Sequence, residues 1–140
     1  MGARDRRRRC RGALLAVALA AVACATGSYS ACPVGLDTAP SADAFAVCRD
    51  LLGSRFGALV LADAGAFRLQ TAWSATPDEA AERRATVFRT DAGHAADLAV
   101  VVEVRRLREP LLGLPGWTEP RGDAAAEREL AAALRAALNR

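Results

Sequence analysis

Hydrophobic positions change their spacing along the chain, and each spacing predicts a different element. From Gly12 to Ala23 they are nearly unbroken, in the run GALLAVALAAVA. From Ala44 they take helical spacing: Ala44, Val47 and Leu51 fall at i, i+3 and i+7 beside Phe45, Cys48 and Leu52, which gives one broad apolar face. Ser41 stands where an N-cap would accept from the first free backbone N–H groups, and Asp43 is placed in the first turn, where the helix dipole favours an acid. Gly53 is expected to close this helix at about residues 52 to 55, because glycine readily takes the left-handed conformation of a helix end.

From Leu59 the period shortens to two. Leu59, Val60 and Leu61 predict a short strand, Asp63-Ala64-Gly65 a turn, and Phe67, Leu69, Thr71 and Trp73 a second strand alternating with Arg68, Gln70 and Ala72. Trp73 is expected in the core. After a polar connection, residues 84 to 90 (RATVFRT) predict a third strand with apolar groups on both faces. The fourth and clearest covers LAVVVEVRRL, with Leu98, Val100, Val102 and Val104 on one face and Ala99, Val101, Glu103 and Arg105 on the other. A loop punctuated by proline and glycine follows from about 108 to 122. The last helix is expected from Asp123 to about Asn139, with Leu130, Leu134, Ala137 and Leu138 as its apolar stripe. The order α-β-β-β-β-α predicts an α+β domain: a four-stranded, mainly antiparallel sheet with two helices on one face.

The run before this domain has a different meaning. Arg4, Arg6, Arg7, Arg8, Arg9 and Arg11 form a basic head, and the apolar stretch ends in the small residues Ala21-Val22-Ala23. This is the layout of a secretory signal. A spanning helix needs about 20 apolar residues, more than this run provides. Residues 1–23 are therefore expected to be cut away, 24–40 to form a flexible tether and 41–140 to form the domain. Without the signal, thirteen arginines face fifteen acidic groups, a net charge of −2. The chain has no lysine, and its basic character belongs to the signal. Nucleic-acid binding, which rests on a basic surface, loses its support.

The triplet Ala21-Val22-Ala23 before Cys24 resembles the lipobox of bacterial lipoproteins. The family favours leucine where Ala21 stands. The resemblance implies that the Cys24 sulfur takes a diacylglyceryl group, that cleavage falls just before it and that its new amino group is acylated. It also implies an anchor in a bacterial membrane, the outer one where Ala25 follows the cysteine, with the domain facing the periplasm. Acyl chains on one residue, at about 0.8 kcal/mol per buried CH₂, hold a protein stably where a single chain would not. The same triplet also serves an ordinary signal peptidase, which would release a soluble domain.

Cys10 leaves with the signal, so Cys24, Cys32 and Cys48 remain. Lipidation of Cys24 leaves an even pair. Cys32 and Cys48 could close a loop of 15 intervening residues, worth about 3 kcal/mol in the chain-entropy model. The alternative is a buried Cys48 thiol on a helix and an unpaired Cys32. The small and turn-forming residues between Ala25 and Pro40 suit a tether.

No catalytic, metal or cofactor constellation stands out. His94, the only histidine, has Asp91 and Asp97 nearby but lacks the three or four ligands of a metal site, and reads as a turn residue. Neither a GxSxG elbow nor an SxxK motif occurs. Arg83 and Arg84, with Arg105, Arg106 and Arg108, could form an anion-binding patch or a solvated face balanced by Glu79, Glu82, Glu103 and Glu109. The loop REPLLGLPGWTEPRG is the most informative stretch: Leu111, Leu112, Leu114 and Trp117 stand among prolines that forbid a long helix or central strand. They either fold back on the sheet as a lid or wait for a partner.

The layout is similar to that of small lipoproteins that assist outer-membrane assembly, among them accessory subunits of the β-barrel and lipopolysaccharide insertion machines. That similarity implies a non-enzymatic accessory or scaffolding role with an envelope protein as partner.

Overall fold

The alternation of residues 97 to 108 becomes the strand around which the protein is built. A computed structural model describes residues 30–77, 80–90, 97–109 and 112–140. In chain order its elements are β1 (Cys32–Pro33), α1 (Ala42–Phe56), β2 (Leu59–Asp63), β3 (Arg68–Thr71), β4 (Ser74–Ala75), β5 (Ala81–Thr90), β6 (Asp97–Arg108), β7 (Gly116–Trp117), β8 (Arg121–Gly122) and α2 (Ala124–Leu138). All pairings are antiparallel, in the order β1-β6-β5-β3-β2, with β4 added to β5 and both β7 and β8 added to β6.

The protein is thus α+β with two helices, as expected, but the sheet has eight strands rather than four. The expected four are β2, β3, β5 and β6. The other four have two residues each, too short for any alternation to show. The element order changes with them, since β1 now precedes the first helix.

Both helices cover one face of the sheet. Ala44, Cys48, Leu52 and Phe56 of α1 and Leu130, Ala131 and Leu134 of α2 meet Leu69, Ala85, Val87, Leu98, Val100 and Val102 of the sheet in one cluster. The last helix has the expected bounds because Asp123 caps it, its carboxylate accepting from the N–H groups of Ala125 and Ala126. The first helix runs a turn beyond Gly53 because Phe56 still reaches the core. Gly57 ends it at φ 92°, a backbone conformation that favours glycine, with its N–H on the Gly53 carbonyl. Ser41 occupies the cap position without a side-chain hydrogen bond.

Residues 32–37, within the 24–40 stretch expected as a tether, pack against the domain. Val34 is fully buried in the core, and Cys32 and Pro33 pair with Val100 and Ala99 on the free edge of β6. The Asp97 carboxylate accepts from the N–H groups of Gly35, Leu36 and Leu98. Arg135 donates Nε to the Val34 carbonyl, and Asn139 donates to Asp37. Charge-assisted bonds of this kind are roughly twice as strong as neutral ones, so the 32–37 segment is fastened to the domain. The signal expected at 1–23, together with Cys24, lies outside the described residues.

Candidate functional site

Antiparallel pairing of β5 and β6 turns two short sequence repeats into one charged ladder. Each strand carries Glu-x-Arg: Glu82 and Arg84 on β5, Glu103 and Arg105 on β6. The register sets Glu82 against Arg105 and Arg84 against Glu103, so each arginine meets a carboxylate across the strands. These pairs stand on the face of the sheet away from the helices. Arg105 donates Nε and one Nη to the same Glu82 oxygen, and Arg84 donates Nε to Glu103.

Both tryptophans complete this ladder. The guanidinium of Arg105 lies 4.4 Å from the ring centre of Trp73 and 4.6 Å from that of Trp117, and Arg84 lies 4.6 Å from Trp73. The groups therefore stack in the order Arg84, Trp73, Arg105, Trp117. Trp73, expected in the core, is instead partly exposed on the face away from the helices, because its strand ends at Thr71 and the alternation ends with it. A guanidinium suits this position, since its flat face stacks on the rings while its edge keeps the carboxylate.

The stack pins a hairpin. Beyond Arg108 the chain returns along β6, with Trp117 opposite Leu107 and Gly116 opposite Arg108. Thr118 donates its N–H to the Arg106 carbonyl and its hydroxyl accepts from the Arg106 N–H. β8 continues the pairing opposite Glu103 and Val104, and Asp123 donates its N–H to Val102. The Val102 N–H then finds the buried carboxylate of Glu127, so the edge of β6 is finished by the start of α2. Leu112 is 97% exposed, Leu114 is 90% exposed and Trp117 is 41% exposed. Leu112 and Leu114 do not cover the sheet, since both stand in solvent, while Trp117 lies against Arg105. Gly113 between them has φ 138°, which places the two side chains on a backbone path that a residue with a Cβ resists. Leu111 lies outside the described residues, as does His94 with its turn.

The arginine patch is dispersed. Arg84 and Arg105 carry their own carboxylates, while Arg83, next in sequence to Arg84, points to the helix side. There its guanidinium lies over Phe56, 4.8 Å from the ring centre, and donates to the Arg55 carbonyl. A cleft of about 240 Å³ opens at this point, lined by Arg55, Phe56, Arg83, Ala126, Glu129 and Leu130. Its one carboxylate, Glu129, is paired with Arg55. Among the described residues no cluster of His, Cys, Asp or Glu could hold a metal ion, and no helix is long and apolar enough to cross a membrane.

Cys32 and Cys48 are free thiols, so the bridge between them is not formed in this structure. Cys48 is fully buried on α1, and desolvation pushes its thiol up from 9.0 to about 12. Cys32 is half-buried at the edge strand. The thiolate is the nucleophile, so Cys48 is inert at neutral pH.

The ladder gives a sharp expectation. Arg105→Ala removes the pair with Glu82 and both ring contacts, and should cost about 2 kcal/mol while loosening the hairpin. Urea denaturation measures the first effect, and quenching of tryptophan emission by acrylamide measures the second. Arg105→Lys should recover little of either, because an ammonium lacks the flat face.

Compared with protein-family models, with curated proteins and with solved structures, the chain matches none.

Proposed function

We propose that this protein is a cell-envelope lipoprotein, anchored through Cys24, whose α+β domain acts by binding as an accessory component of envelope assembly or maintenance. The observation that carries the binding role is the hairpin tip. Two leucines stand almost wholly in water on a turn whose base is fixed by a tryptophan–arginine stack and by strand pairing. Exposed apolar groups on a rigid support are what a contact surface needs, since little ordering remains to be done on binding. Catalysis finds no comparable support. The charged groups of the outer face are engaged in pairs, and the cleft beside Arg83 holds a single paired carboxylate.

The lipobox-like triplet supports the anchor, and the fastening of residues 32–37 leaves only a short leash between Cys24 and the domain. Fractionation of expressing cells tests the reading. The wild type should sediment with membranes and resist alkaline carbonate, while Cys24→Ser should appear in the soluble fraction. A wild type that is soluble after lysis contradicts the proposal in favour of a released periplasmic or secreted domain.

A further inference from the structure

We infer that the Leu112–Trp117 tip enters the interfacial layer of the same bilayer that holds Cys24, as a second, protein-borne membrane contact. This rests on the reading of Cys24 as the lipid-bearing residue.

Strand direction is the first argument. β1 pairs antiparallel with β6, Cys32 opposite Val100 and Pro33 opposite Ala99, so Ser30 and Ala31, which precede Cys32, head toward the Arg108 end of β6 and not its Asp97 end. That is the end at which the hairpin turns, because Trp117 and Gly116 pair with Leu107 and Arg108. Asp97 and Arg135 fasten the residues after β1, which fixes this direction.

Reach is the second. From Cys24 to Cys32 the chain spans at most about 29 Å when fully extended. From Val100 to Arg108, β6 extends about 27 Å. The leash is therefore long enough to bring Cys24 level with the hairpin end, and it keeps the bilayer within about 29 Å of Cys32.

Chemistry is the third. Residues 112–117, Leu-Gly-Leu-Pro-Gly-Trp, carry no charge, and the flanking Arg108, Glu109, Glu119 and Arg121 cancel. Leucine side chains suit the acyl boundary and an indole suits the headgroup level. Two leucines and part of one tryptophan fall well short of the roughly 800 Å² that a standard protein interface takes from each partner. A convex tip of this size fits a deformable bilayer better than a second protein. Its affinity for lipid is weak when free, and the anchor compensates by raising the effective concentration.

The test uses the full chain purified with its anchor and returned to phosphatidylethanolamine–phosphatidylglycerol vesicles, with or without bromine on the acyl chains near the headgroup. Trp73→Phe leaves Trp117 as the only tryptophan, and Trp117→Phe leaves Trp73. Brominated vesicles should lower Trp117 emission about twofold, as expected of an indole at the headgroup level, and leave Trp73 emission unchanged. Leu112→Ser with Leu114→Ser should abolish the quenching. Equal Trp117 emission in both vesicles, from chain that stays bound to them, overturns the inference and leaves a protein as the occupant of the tip. A chain that leaves the vesicles altogether overturns the anchor and the inference with it.

Discussion

Raising the pH from 9 to 12 should strip the domain of about 4 kcal/mol of stability, through one thiol. Burial pushes Cys48 from 9.0 to about 12, while in the unfolded chain it ionises at its ordinary value. Between those limits the folded state keeps a proton that the unfolded state gives up. The contribution is complete below pH 9 and is lost as the pH climbs to 12. Such a slope is usually hidden beneath lysines, but this chain has none. Urea midpoints measured across this range should fall steeply for the wild type. Cys48→Ala should be somewhat less stable at neutral pH and nearly flat above pH 9. An equally steep fall in Cys48→Ala would place the alkaline sensitivity elsewhere. Native-state alkylation at pH 7.5, mapped by peptide mass, should mark Cys32 well before Cys48.

Phe67 should be the costliest single truncation in the turn between β2 and β3. Its ring is buried, meets Phe45 edge to face with centres 5.4 Å apart, and lies beneath the guanidinium of Arg89. Removing a buried phenylalanine costs about 3–5 kcal/mol. Its backbone adds a second effect, because φ is 46°, a left-handed conformation that L side chains pay for. Glycine is ordinarily the more disruptive replacement, yet here Phe67→Gly should be more stable than Phe67→Ala by about 1 kcal/mol. Thermal melts of the two variants decide it. The ordinary ranking, alanine above glycine, would show that the turn relaxes out of its left-handed conformation once the ring is gone.

Much of this fold is legible in the sequence wherever a period runs long enough to be read. The alternation of Leu98, Val100 and Val102 gives β6 its core face, and the spacing of Leu130 and Leu134 with Asp123 ahead of them gives α2 nearly to the residue. What the period cannot reveal is pairing between short segments. Cys32 and Pro33 look like tether because two residues have no alternation, and only the unfilled edge of β6 makes them a strand. Trp73 illustrates the same gap. Its position continues the parity of Phe67, Leu69 and Thr71, but β3 has already ended, and the ring turns to Arg84 and Arg105 on the other face.

The candidate site was legible in part. An apolar loop with three prolines singles out Leu112, Leu114 and Trp117 without structure, although not whether they fold inward or stand out. The support beneath them was harder to see. The twin Glu-x-Arg repeats become complementary only once β5 and β6 are set antiparallel in one register, which then pairs Glu82 with Arg105 and Arg84 with Glu103. That register also decides why Arg83 and Arg84, neighbours in sequence, serve opposite faces.

The proposed anchor requires that Cys24 be the lipidated first residue of the working protein. Growth with a clickable fatty acid, followed by immunoprecipitation, measures this directly. The wild type should be labelled and Cys24→Ser unlabelled, with Cys32→Ser and Cys48→Ala labelled as the wild type is. An unlabelled wild type, or label that persists in Cys24→Ser, would contradict it.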